Sequence, residues 1–208
     1  MSEIDEDHLN KAVVAFGIDV VLEWLAHVNA QHNLPMVSVG SGNGAVESRC
    51  DFEIILVDPA PLSYNSSGLR APYAAPSYAS VDELISTKPT IVGHCVLFLN
   101  WAEPNSATYD RDAIEMLQPV AVVALTELFD SGHGGAGSEL FHNWREMQCY
   151  ALVKEARADD GEEIRSVASH LDLRLTWWQR RDQPPQSTGT LRDLYNSHIR
   201  LNQDCVIQ

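Results

Sequence analysis

Four short apolar runs constrain this chain more than any other feature: Met36 to Val39, Ile54 to Val57, Val96 to Leu99 and Val120 to Leu125. Each is too short for a helix, none alternates with polar residues, and Gly, Pro, Asn and Asp separate them. Such runs are strands buried on both faces, as in a parallel sheet sandwiched between helices. Helix patterns fall between them, around Ala45 to Arg49, around Val81 to Ile85, and from Asp110 to Gln118, where Pro119 ends the last before the next strand. The alternation predicts an α/β fold with right-handed crossovers and ligands collected at the carboxyl ends of the strands.

The flanks follow different periods. Val14, Ile18, Val21, Leu25 and Val28 recur at steps of four and three, which is one face of an N-terminal helix lying on the sheet as a lid or flank. Asp5, Glu6 and Asp7 sit where that helix is expected to begin and favour its positive end. From Cys149 onward, Tyr150 to Ala156 and Leu171 to Gln179 read as two longer strands with partial alternation, an antiparallel addition at one edge. The polar, proline-bearing stretch Asp182 to Gly189 leads to a last amphipathic helix through Leu191, Leu194, Tyr195 and His198. With 208 residues the chain fits one domain, divided as an N-terminal helix (1–33), a core (34–181) and a C-terminal linker and helix (182–208).

Charge narrows the function classes. Lys and Arg number 14 against 29 Asp and Glu, a net charge of -15, so an extended phosphate backbone is repelled at long range and nucleic acid is not the expected partner. The distribution is uneven: residues 165–200 hold six arginines against three acids, a solvated basic edge or a contact surface for an acidic partner. Asp19 and Glu23 interrupt the longest apolar segment, so no run approaches the ~18 residues of a membrane span. Cys50, Cys95, Cys149 and Cys205 are scattered, and Met1 to His8 is acidic where a secretion signal is basic and then apolar. An intracellular, cytoplasmic protein with reduced thiols is expected.

The chemistry concentrates after the first strand, in Gly40-Ser41-Gly42-Asn43-Gly44, followed by Asp58-Pro59 at the tip of the second. Alternating glycines let the backbone turn sharply and let a ligand approach the main chain where a Cβ would collide. An acid at the end of the next strand is placed to accept both hydroxyl hydrogens of a ribose. Strand, glycines, short helix, strand and terminal acid in this order resemble the class I S-adenosylmethionine-dependent methyltransferases, with Gly40, Gly42 and Gly44 as the first motif and Asp58 as the second.

That resemblance, specific over residues 36–59, implies a Rossmann-like doubly wound, mostly parallel sheet of seven strands. An antiparallel C-terminal hairpin completes it, with helices on both faces. It also implies S-adenosylmethionine as cofactor: Ser38 and the loop Gly40, Ser41, Gly42, Asn43 and Gly44 against the methionine part, Asp58 and Pro59 at the ribose, and residues near Ser80 to Asp82 at the adenine. Members commonly carry an acid two residues before the first glycine. Ser38 stands there, which weakens the hold on the methionine portion or marks a binding or scaffold protein without catalysis. Gly40-Ser41-Gly42-Asn43-Gly44-Ala45 also satisfies the dinucleotide pattern, so an NAD-binding Rossmann protein is the further alternative, although the connection to the next strand is short for a full crossover helix.

The remaining strand ends supply acceptor-side candidates. Asn100 and Trp101 end the third strand, where the resemblance puts the transferring methyl group, and are read as positioning an acceptor by hydrogen bond and stacking. Glu127 or His133, after the fourth strand, is read as a proton acceptor. The acceptor is expected to be a small molecule or a protein. The proline-rich stretch 60–79 forms a long loop over the mouth of the sheet that shapes a substrate pocket or stands as a poorly ordered insertion. His133 and His142 lack ligand spacing and a third partner, so no metal is expected. Phosphate-loop, H-E-x-x-H and G-x-S-x-G motifs are absent from the sequence.

Overall fold

The computed structural model describes residues 13, 16–58, 74–100, 109–127, 145–157 and 173–181. Six strands form one sheet: β1 (Met36–Val39), β2 (Ile54–Val57), β3 (Val96–Asn100), β4 (Ala121–Glu127), β5 (Tyr150–Arg157) and β6 (Leu173–Arg180), in the order β2-β1-β3-β4-β6-β5. The first four are mutually parallel, β6 runs antiparallel to β4, and β5 pairs antiparallel with β6. This is the parallel sheet that the apolar runs imply, with the doubly wound order and antiparallel C-terminal hairpin that the resemblance implies.

Burial on both faces explains why those runs lack alternation. Val37, Val39, Leu97 and Leu99 face one layer, packed with Leu84 of α2 (Val81–Thr87) and Ile114 of α3 (Tyr109–Leu117). Met36, Val96 and Phe98 face the other, packed with Val21, Leu25 and Val28 of α1 (Ile18–His32). Each fully buried aliphatic side chain contributes about 1.5–3 kcal/mol, so the α1 face alone secures that helix to the sheet. Asn33, at φ 50°, ends α1 by donating its N–H to the Asn29 carbonyl at 2.8 Å.

Two features differ from expectation. Before α1, which begins at Ile18, Val13 and Phe16 are helical and Gly17, at φ 78°, breaks the path; the expected start at Asp5, Glu6 and Asp7 lies outside the described residues. The helix expected over Ala45 to Arg49 is a single 3₁₀ turn, Glu47–Arg49. The implied seventh strand is reduced, among the described residues, to an isolated parallel bridge between Val57 and Tyr78 at the outer edge of β2. Pro76, two residues before Tyr78, has no N–H to give a ladder there. The last helix, through Leu191 and His198, lies outside the described residues.

The hairpin locks onto β4. Its strands shift register between Leu152 and Lys154, and the buried Tyr150 hydroxyl donates to the Pro119 carbonyl at 2.7 Å. No helix among the described residues is long and apolar enough to cross a membrane. The feature that positions a site is the order β2-β1-β3: the chain leaves β1 for β2 on one side and later returns to β3 on the other. Val39 is level with Val57 and with Leu99, so Gly40, Asp58 and Asn100 emerge together at one edge. Open α/β sheets bind ligands in the crevice at such a reversal.

Candidate ligand site at the strand reversal

The glycine loop turns as the sequence pattern requires: Gly40, Gly42 and Gly44 have φ of 78°, 56° and 68°. Gly44 has room only for hydrogen, since a Cβ there would stand 2.6 Å from the Ala74 carbonyl oxygen and 2.9 Å from its Cβ. Among the described residues, a Cβ at Gly42 would meet nothing within 4 Å. One glycine therefore admits a neighbouring segment of the chain, and at the other a side chain would touch no described residue. The Asn43 carboxamide oxygen accepts the Ala45 N–H at 3.1 Å, a local turn that steers the chain toward the 3₁₀ segment.

Asp58 meets this loop directly. The Gly42 N–H donates to Asp58 Oδ2 at 2.6 Å, a charge-assisted bond that ties the end of β2 to the turn after β1. Asp58 is 7% exposed. Next to Gly42, Ser41 is 3% exposed, and among the described residues its Oγ has no hydrogen-bond partner. Buried hydroxyls are almost always satisfied, so this one is an exception at the strand reversal.

A second acid lies beneath the loop. Glu47, in the 3₁₀ turn, is 5% exposed, and its Oε1 accepts the Ser38 hydroxyl at 2.6 Å and the Asn100 side-chain N–H at 3.1 Å. Its Oε2 is buried, with no hydrogen-bond partner among the described residues. Burial pushes the Glu47 carboxyl above the usual carboxylate range; the bonds from Ser38 and Asn100 oppose that shift, and the negative charge of Asp58 reinforces it.

Sequence reasoning missed Glu47, reading it only as part of a helix around Ala45 to Arg49. The readable signal was Ser38: a polar residue in a strand buried on both faces needs a buried partner, and that partner comes from nine residues downstream.

Of the residues expected to form the site, Ser38, Gly40, Ser41, Gly42, Asn43, Gly44, Asp58 and Asn100 gather at this edge. Asn100 turns its amide to Glu47 rather than standing open to an acceptor. Ser80 caps α2, its Oγ accepting the Glu83 N–H at 3.1 Å while Glu83 accepts the Ala79 N–H at 2.8 Å. Glu127 ends β4, with only its backbone described. Pro59, Trp101, His133, His142 and loop residues 59–73 lie outside the described residues.

Fold and site thus define a Rossmann-like α/β protein with a cluster of buried polar side chains at the reversal between β1 and β3. No family model and no curated protein matches the chain. Among solved structures it is similar to the O-methyltransferase TomG from Streptomyces achromogenes, in complex with SAM, at 14% identity and TM-score 0.45, covering 86% of this chain and 92% of that one. It is similar as well to magnesium protoporphyrin IX methyltransferase from Synechocystis with bound SAM, at 8% identity and TM-score 0.47, covering 86% and 87%. A third is the Burkholderia thailandensis 1,6-didemethyltoxoflavin-N1-methyltransferase, at 13% identity and TM-score 0.43, covering 88% and 93%. At these values the functional reading rests on this chain's own residues.

Proposed function

We propose that the chain binds an S-adenosyl compound at the strand reversal and acts as an S-adenosylmethionine-dependent methyltransferase on a small-molecule or protein acceptor. The observation that carries this is the space that the described residues leave at Gly42, next to the Asp58 carboxylate and to the buried Ser41 hydroxyl, which has no partner among them. Asp58 takes the ribose hydroxyls: a carboxylate oxygen has more than one acceptor site, so Oδ2 can hold both the Gly42 N–H and a sugar hydroxyl. Ser41 offers a donor and an acceptor, and Gly42 leaves the main chain approachable.

The same residues argue against a dinucleotide. A pyrophosphate is received by the N-terminus of the helix after the glycines, and here a 3₁₀ turn of three residues follows instead. The acids Glu47 and Asp58 would repel a diphosphate and favour a ligand carrying positive charge.

Bound S-adenosylmethionine supplies an electrophilic methyl group on its sulfonium, which needs no covalent help from the protein. The chain's part is to align acceptor with donor and to exclude water. A non-catalytic binding protein on the same fold is favoured by one observation, the commitment of the Asn100 amide to Glu47; conversion of S-adenosylmethionine to S-adenosylhomocysteine with candidate acceptors separates the two readings. A cytoplasmic setting accords with the free thiols of Cys50, Cys95 and Cys149.

Calorimetric titration with S-adenosylhomocysteine, S-adenosylmethionine and NAD is the test. Saturable binding of the adenosyl compounds, at least tenfold weaker in Asp58→Ala, is expected. Binding of NAD alone, or adenosyl binding indifferent to Asp58→Ala, overturns the reading.

A further inference from the structure

The antiparallel hairpin carries an irregularity that the strand reversal does not use. Its register sets Leu152 opposite Trp178 and then Lys154 opposite Trp177, so Val153 is an extra residue left out of the ladder and 48% exposed. In an unbroken ladder Val153 would stand opposite Trp177. The bulge puts an ammonium side chain there instead, and residues directly opposite each other share one face of a sheet. That face is the one α1 covers. Lys154 Nζ lies 4.4 Å from the centre of the Trp24 ring, and the His27 ring meets Trp177 edge-on at 5.6 Å.

Between helix and hairpin is a cavity of about 340 Å³, lined by Glu23, Trp24, His27 and Val28 of α1 and by Lys154 and Trp177 of the hairpin. Glu23 and His27 are four residues apart, as are Trp24 and Val28, so neighbouring turns of the helix present both pairs to the hairpin. Sites for small organic molecules begin at about 300 Å³. The inner wall is apolar, since Trp24, Val28 and Trp177 are buried; the rim is polar, since Glu23, His27 and Lys154 are exposed. Among the described residues neither Glu23 nor Lys154 belongs to an ion pair. Glu155, next to Lys154, holds Arg174 at 2.6 Å, and Asp19, one turn before Glu23, pairs with Arg49 at 3.9 Å. Aromatic walls with an uncommitted carboxylate and an uncommitted ammonium at the mouth complement a molecule that carries a ring and both charges. Such a ligand is neutral overall, so the chain's charge of -15 does not repel it as it would a plain carboxylate. A plain amine would meet the Lys154 ammonium already over Trp24.

We propose that this cavity binds a free amino acid with an aromatic side chain, its ring among Trp24, Val28 and Trp177, its carboxylate on Lys154 and its ammonium on Glu23. The bulge at Val153 builds the site, because it turns Lys154 toward α1. No residue is shared with the strand reversal, and the proposal stands or falls independently of the function assigned there.

Calorimetric titration of the full chain uses probes that share one ring: L-phenylalanine, phenethylamine, which lacks the carboxylate, and 3-phenylpropionate, which lacks the ammonium. Phenylalanine is expected to bind saturably and about fivefold more tightly than either analogue, the worth of one partly screened ion pair. Lys154→Gln should weaken phenylalanine and phenylpropionate by that factor and leave phenethylamine unchanged; Glu23→Gln should weaken phenylalanine and phenethylamine and spare phenylpropionate. Both side chains are exposed, so the variants keep the fold, which thermal melting checks. Phenylalanine that does not bind, that binds no better than its analogues, or that binds both variants as it binds wild type overturns the proposal.

Discussion

Replacing Gly42 and Gly44 by alanine, one at a time, separates a glycine kept for a ligand from one kept for the fold. Both residues have left-handed backbones, φ 56° and 68°, where an L side chain costs about 1–2 kcal/mol. For Gly42→Ala that is the whole structural cost, because the new methyl meets none of the described residues within 4 Å. In a chain of this length it lowers the melting temperature by about 2–8 °C.

For Gly44→Ala the methyl would stand 2.6 Å from the Ala74 carbonyl oxygen, a backbone atom that cannot rotate away. Displacing that segment adds about 1–3 kcal/mol of overpacking, so the fall is roughly twice as large. Ligand affinity reverses the severity of Gly42→Ala. Its methyl enters the space assigned to the adenosyl ligand and is expected to weaken S-adenosylhomocysteine binding by more than tenfold, which is over about 1.4 kcal/mol. Circular dichroism melts and calorimetric titration read the two effects. A Gly42→Ala protein that melts as low as Gly44→Ala, or that binds like wild type, refutes the division of roles.

Asp110 carries a stability effect of defined sign. Buried in the first turn of α3 with Oδ2 unpartnered, its carboxyl is pushed up to about 6 by desolvation. A carboxyl raised in the folded state contributes its full stability below the unfolded value of about 4 and loses it as pH rises through about 6. Asp110→Asn should therefore gain on wild type between about pH 4 and pH 7, by less than about 3 kcal/mol because the helix N-terminus favours the charge; parallel melting profiles across that range would sink the assignment. Tyr150→Phe removes the 2.7 Å bond to the buried Pro119 carbonyl and should cost about 1–2 kcal/mol in denaturant unfolding, with an unchanged midpoint as the contrary result.

The sheet was legible because two-sided burial writes itself as uninterrupted apolar text, and β1 through β4 appear within a residue or two of their runs. The differences have local causes. Strand β3 extends to Asn100 because the ladder continues to Leu125 after the hydrophobic run has ended, and hydrogen bonding between strands leaves no mark in composition.

The turn at 45–49 has helical residues but lies between a positive-φ glycine and a nearby strand, so the connection closes before a helix can propagate. The site was half legible. Gly40 to Gly44 and Asp58 carry a spacing that reports a backbone conformation and a strand end. Glu47 carries none: its role depends on Asn100, 53 residues away, and on a pairing that only the folded sheet creates.

The most direct test is a crystal structure grown with S-adenosylhomocysteine. Its ribose hydroxyls are expected on the Asp58 carboxylate, with the nucleoside lying over Gly42. A ligand bound elsewhere, or a crevice whose walls close over the glycines with ligand present in excess, would contradict it.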